Sequence, residues 1–177
     1  MSSPQIERLR TTLLRRGMLT SRPPPPAAAR PWKPEELELA RRVRPFAEAM
    51  YLVIGANSDI GDRERDVLRG ALRTLTDNMI SSTVLETMLQ EFEQARAGEG
   101  TESRLDAVAS ALYWDATDAE LAVKLAIAAA EVDGQLDARE QSVVHALAKR
   151  LGISDKHLEE LLEGEAYHAS SDYASGD

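Results

Sequence analysis

Apolar positions in this chain recur almost throughout at intervals of three and four, the spacing of helices with one buried face. In "PQIERLRTTLLRRGM" (residues 4–18), Ile6, Leu9, Leu13 and Leu14 share one face with arginines around it, which predicts a short amphipathic helix. "SRPPPPAAARPWKP" (21–34) follows, and its prolines predict an extended, semi-rigid spacer. From Glu35 the helical pattern resumes. "EELELARRVRPFAEAMYLVIGA" (35–56) is a long apolar-faced stretch, expected to kink or restart at Pro45. Val67, Leu68, Ala71, Leu72 and Leu75 form the stripe of the next helix. Thr83 with Glu86, Thr117 with Glu120 and Asp137 with Glu140 have capping-box spacing and predict three helix starts. A loop is expected over "GEGTES" (98–103), a helix stop at Gly152 and a cap at Ser154. No segment alternates at period two for long enough to be a strand, so the predicted class is all-α.

These boundaries divide the chain into a basic amphipathic helix (1–18), a proline-rich linker (19–34), a helical domain (35–163) and an acidic tail (164–177) expected to be disordered. The domain also contains an internal repeat. A shift of 76 residues lays "NSDIGDRERDVLRGALRTL" (57–75) over "DGQLDAREQSVVHALAKRL" (133–151). Asn57 meets Asp133, Ile60 meets Leu136, and Glu64 meets Glu140. In each copy an apolar helix runs into a turn and an amphipathic one leaves it. Two such helix-turn-helix units predict a single pseudo-symmetric bundle.

Charge sharpens this division. The net charge is −9, yet residues 1–30 carry six arginines against Glu7 alone, leaving +5 on the arm and −14 on the rest. An acidic body repels phosphates, so nucleic acid is excluded as the expected partner. The basic arm is the expected docking element, through Ile6, Leu9, Arg10, Leu13, Leu14, Arg15 and Arg16, with Trp32 anchoring the spacer. Such an arm can meet a partner protein's groove, an anionic membrane surface or the chain's own acidic body. No apolar run approaches the roughly 20 residues that span a bilayer. The N-terminus lacks the apolar stretch of a signal peptide. A cytoplasmic location is therefore expected, with the arm able to hold the chain at the inner membrane.

Catalytic and metal signatures are sparse. There is no cysteine, and His145, His157 and His168 show no metal-ligand pairing. Glu165 and His168 make one Glu-x-x-His pair where a di-iron bundle needs two and further carboxylates. No phosphate loop, nucleophile elbow or zinc motif occurs, so neither an enzyme nor a small-molecule substrate is expected. "EVDGQLDARE" (131–140) resembles the second half of a calcium loop, but Ala129 stands where its first carboxylate belongs. Two readings of it stay open. Asp133-Gly134 can end a helix while Asp137 and Glu140 start the next. Otherwise Glu131, Asp133, Asp137 and Glu140 can share a calcium, magnesium or manganese ion with Asn57, Asp59 and Glu64 of the other turn.

"AIAAAEVDGQLDAREQSVVHALAKRLGIS" (126–154) resembles the second motif of the TerB family, the tellurite-resistance domain, and of the amino-terminal domain of DnaJ-like co-chaperones. "MYLVIGANSDIGDRERDVLRGAL" (50–72) is similar to its first motif in weakened form, and the resemblance covers roughly residues 40–162. It implies a compact bundle of about seven helices with an acidic surface able to bind metal. It also implies a non-catalytic scaffold in stress-response or membrane-linked complexes. The family's acidic positions fall on Asp133 and Glu140, and on Asn57 and Glu64, where Asn57 stands for the expected Asp. The expected function is thus a TerB-like interaction module, with a divalent-cation sensor or carrier as the alternative.

Overall fold

Two stretches of this sequence are too apolar to leave a face in water, and the fold is organised around them. The computed structural model describes the backbone of residues 4–15, 33–57, 60–134 and 136–172, with side chains except at 4, 5, 12–15, 133 and 165–172. Among the described residues there are eight α-helices and no strand. They are α1 (Pro4–Arg15), α2 (Pro34–Ile54), α3 (Asp62–Leu75), α4 (Ser82–Glu99), α5 (Thr101–Leu112), α6 (Ala116–Ala130), α7 (Ala138–Arg150) and α8 (Asp155–Asp172). A 3-10 turn, Glu131–Asp133, joins α6 to α7. The all-α class expected from the sequence is the class observed.

Residues 46–54 of α2 and 125–130 of α6 are buried without a break. A helix apolar all round has to be enclosed by others. Here α2 and α6 pack along one another as the central pair, their alanines permitting close approach, and α5 and α7 flank both. α4 closes over α2 with Leu85, Met88, Leu89 and Phe92. α8 lies on α6 and α7 and seats Leu158 and Leu161 in the core. One charge goes inside with this core: Glu48 is buried and receives Arg104 of α5 at 2.7 and 3.0 Å in a two-pronged pair.

Several local expectations are corrected. α2 runs through Pro45 without restarting. The carbonyl that loses its partner there belongs to Arg41, on the exposed side where water can serve it. The N-caps of α4 and α6 are Ser81 and Asp115, two residues before the expected Thr83 and Thr117. Ser81 Oγ accepts from the Val84 N–H at 3.4 Å, and Asp115 accepts from the Thr117 and Asp118 N–H groups at 2.9 and 3.3 Å. An acceptor two positions earlier wins because it adds backbone bonds to the helix. The expected 98–103 loop contracts to Gly100 alone, whose φ of +83° suits a residue without Cβ.

The helix stop at Gly152 is present as a Schellman motif, with Gly152 N–H on the Lys149 carbonyl and Ile153 N–H on that of Ala148. Ser154 caps α8 as expected, accepting from the His157 N–H at 3.3 Å. Residues 164–172 are helical rather than disordered, because no proline interrupts α8 and glutamate and alanine favour its continuation. Residues 173–177 of the expected tail lie outside the described residues.

Candidate functional site

The two repeated turns meet, and the helix that leaves each carries a glutamate, Glu64 or Glu140, at its third position. The first follows α2: Gly55 is buried, and its carbonyl accepts from Arg96 Nη1 at 2.8 Å. A Cβ at Gly55 would collide with that guanidinium. Ile60 is buried beyond the turn, and α3 starts at Asp62 with Gly61 as its cap. A Cβ added at Gly61 would stand 2.9 Å from Glu64 Oε2, so this carboxylate folds back over the cap. The second turn follows α6 through the 3-10 turn and Gly134, whose φ is +143°. Leu136 packs on the core, and Asp137 caps α7.

Asp137 and Glu140 form the complete capping box expected from the sequence. Asp137 Oδ1 accepts from the Arg139 and Glu140 N–H groups at 2.7 and 3.0 Å, and Glu140 Oε2 accepts from the Asp137 N–H at 2.9 Å. Glu64 and Glu140 thus hold the same third helical position in the two copies, which gives the repeat a physical basis.

A side-chain bond and a side-chain to backbone bond join the turns. The Asn57 amide donates to Asp137 Oδ2, and Arg139 Nη1 donates to the Asn57 carbonyl at 3.1 Å. The Glu140 backbone N–H first, then the Asn57 amide, hold the Asp137 carboxyl below its usual range. Of the seven candidate metal ligands, then, Asp137 and Glu140 face backbone N–H groups and Asn57 turns a donor to its neighbour. Glu64 covers a cap, and Glu131 begins the 3-10 turn, half buried. The Asp133 side chain and Asp59 lie outside the described residues. Among the described residues, no three His, Asp or Glu side chains stand together so as to hold a metal ion.

The arm packs on its own chain. α1 lies on α3, α6 and α8, with Ile6 and Leu9 buried in the shared core. Arg10 pairs with Asp77 at 3.0 Å and with Glu7 at 3.5 Å. Ile6, Leu9 and Arg10, expected to meet a partner, are therefore engaged within the molecule. The apolar face of a short helix is worth more against a ready-made core than in water. The side chains of Leu13, Leu14 and Arg15, and residues Arg16 and Trp32, lie outside the described residues.

Sequence reasoning missed the most exposed apolar feature. At the end of α5, Tyr113 and Trp114 are 68% and 88% exposed. Their rings meet edge to face, centroids 5.6 Å apart at 86°. They border a shallow groove of about 450 Å³, lined also by Asp106, Ala109, Ser110 and Arg150. Arg150, the last residue of α7, is held there by Asp106 at 2.6 Å and by Glu102. The signal was available: Leu105, Val108, Ala109 and Leu112 make the buried stripe of α5, and two aromatics directly after it fall outside that stripe. No helix among the described residues is long and apolar enough to cross a membrane. The chain matches no family model, no curated protein and no solved structure.

Proposed function

We propose that this chain is a non-catalytic, TerB-like interaction module that works by binding another protein, as a scaffold of the kind found in stress-response complexes. The Tyr113–Trp114 pair carries the reading. Among the described residues, the other large apolar side chains are buried or half-buried, and only Val132 joins these two in the exposed class. Adjacent exposed aromatics beside a groove with convergent polar groups are typical of interface anchors. The resemblance to the TerB motifs, together with the meeting of the two repeated turns at Asn57 and Asp137, supports the family part of the proposal. The arm's role is then to complete the body that carries the groove, rather than to reach the partner itself.

In-cell photo-crosslinking tests this. A photoreactive residue at position 114 should yield a discrete adduct in the native host, and one at exposed Gln90 on α4 should not. The protein identified by mass spectrometry should co-purify with the wild type and be lost with Trp114→Ala. If position 114 gives no adduct, or if co-purification survives the substitution, the reading fails.

A further inference from the structure

The groove at the end of α5 restricts what can occupy it, and the inference rests on the interaction reading above. We infer that it binds an extended, proline-rich segment of another protein that carries an arginine or lysine.

Shape comes first. The apolar footprint is two rings and Ala109, flanked by the polar Asp106, Ser110 and Arg150. An amphipathic helix docks through a stripe of anchors along several turns and would lay most of that stripe on polar atoms. A polyproline II segment has three residues per turn and needs only two or three ring-sized contacts. The two rings touch edge to face at 86° and so make a corner, and a pyrrolidine ring can lie in that corner against both with no rotamer freedom to lose. The extended backbone has no internal hydrogen bonds, so its carbonyls are free for the Trp114 indole N–H and the Tyr113 hydroxyl.

Charge supplies the second requirement. Glu102 and Asp106, whose side chains are 76% and 68% exposed, outnumber the Arg150 guanidinium between them. α5 and α7 both end at the groove, at Leu112 and Arg150, and a helix C-terminus is the negative end of its dipole. This surface favours a cationic side chain, which can also stack on the open face of an aromatic ring. It repels phosphate, so neither a nucleic-acid strand nor an anionic lipid headgroup suits it. No described residue of the chain covers the two rings. The chain's own residues 21–34 have the inferred composition, which makes them the competitor that a test has to separate.

The probe is a fluorescein-labelled decapeptide of eight prolines and two arginines, titrated against the full chain by anisotropy. Binding is expected in the micromolar range, weakened about tenfold or more by Trp114→Ala, as for an interface anchor, with Tm unchanged. A peptide with glycine and serine in place of proline should not bind. One with glutamine for arginine should bind several-fold more weakly and lose its salt dependence. Equal affinity for wild type and Trp114→Ala, or for the glycine-serine peptide, overturns the inference. So does binding seen only after prolines 23 to 26 are replaced by glycine and serine, since the chain's own segment is then the occupant. No binding at all, with crosslinking at position 114 still giving a partner, rejects the proline chemistry and leaves the interaction reading standing.

Discussion

The Asn57 side-chain amide donates to the Asp137 carboxylate, across 80 residues of sequence, and so ties the turn that leaves α2 to the turn that enters α7. A donor is required at position 57 because Asp137 is an acceptor. Asn57→Asp puts a second carboxylate in that place. It is expected to lower Tm at pH 7 by more than Asn57→Ala does, with the gap closing near pH 4 as the pair takes up a proton. Thermal melts of both variants at the two pH values decide it. A gap that persists in acid would mean that charge is not the cause.

The same turn separates capping from coordination. Glutamine can serve at the third position of a capping box, whereas a hard cation loses a charged ligand in that change. Glu140→Gln is expected to leave Tm nearly unchanged, and Glu140→Ala to cost about 1 kcal/mol. Millimolar calcium, magnesium or manganese is expected to shift neither wild type nor Glu140→Gln. If metal raised the wild-type Tm by several degrees and Asp137→Asn abolished the rise, the turns would form a site.

Burial of Ile6 and Leu9 makes the arm part of the stability of the body. Ile6→Ala is expected to cost about 2–3 kcal/mol in denaturant unfolding. Removal of residues 1–18 should lower Tm by several degrees. An unchanged Tm would return the arm to the docking role that its charge suggests.

His157 clasps α8 to α6 between two carboxylates, Glu120 at 3.1 Å and Glu160 at 3.3 Å, with Lys124 on the far side of Glu120. The Glu120 partner first, then Glu160, raises the His157 pKa above its ordinary 6.5. A raised histidine pKa gives stability that is fully present below 6.5 and is lost as pH rises through the raised value. Glu120 is lowered from 4.5, chiefly by Lys124 and then by His157, so its share is lost only in acid as pH falls through the lowered value. The clasp is therefore strongest between about pH 4.5 and 6.5. The Tm advantage of wild type over His157→Gln should shrink from pH 6 to pH 8. A difference independent of pH would show that the imidazole only packs.

Much of the fold was legible because its signals are local. The stripes of α3 and α7, the Asp137–Glu140 box and the Gly152 stop each depend on residues within one or two turns. Misplacements arose where two local signals compete, as at Ser81 against Thr83 and Asp115 against Thr117. The candidate site was less legible. Whether Ile6 faces a partner or its own core depends on where α3, α6 and α8 lie, and whether Asp137 coordinates or caps depends on Asn57. Trp114 was visible in sequence only as an aromatic off its helix's stripe.

The buried Glu48–Arg104 pair has a consequence for how the chain sorts its two related halves. Under the 76-residue repeat, Glu48 of α2 corresponds to Lys124 of α6, each the only charged residue in a long apolar run of its helix. Two helices with matching apolar runs, residues 46–54 and 121–130, can compete for the slot beside α5. Arg104 pairs with the acidic one and would repel the basic one, so this pair favours the observed placement over the exchanged one. Glu48→Lys, which gives both helices the same charge, is expected to refold slowly and to a mixture. Introducing Arg104→Glu alongside it leaves the slot open to either lysine and should still give a mixture, whereas adding Lys124→Glu as a third change, which exchanges the charges completely, should restore a single product. Glu48, the one buried charge among the described residues, would on that outcome act as an address, telling two related segments which place each must take.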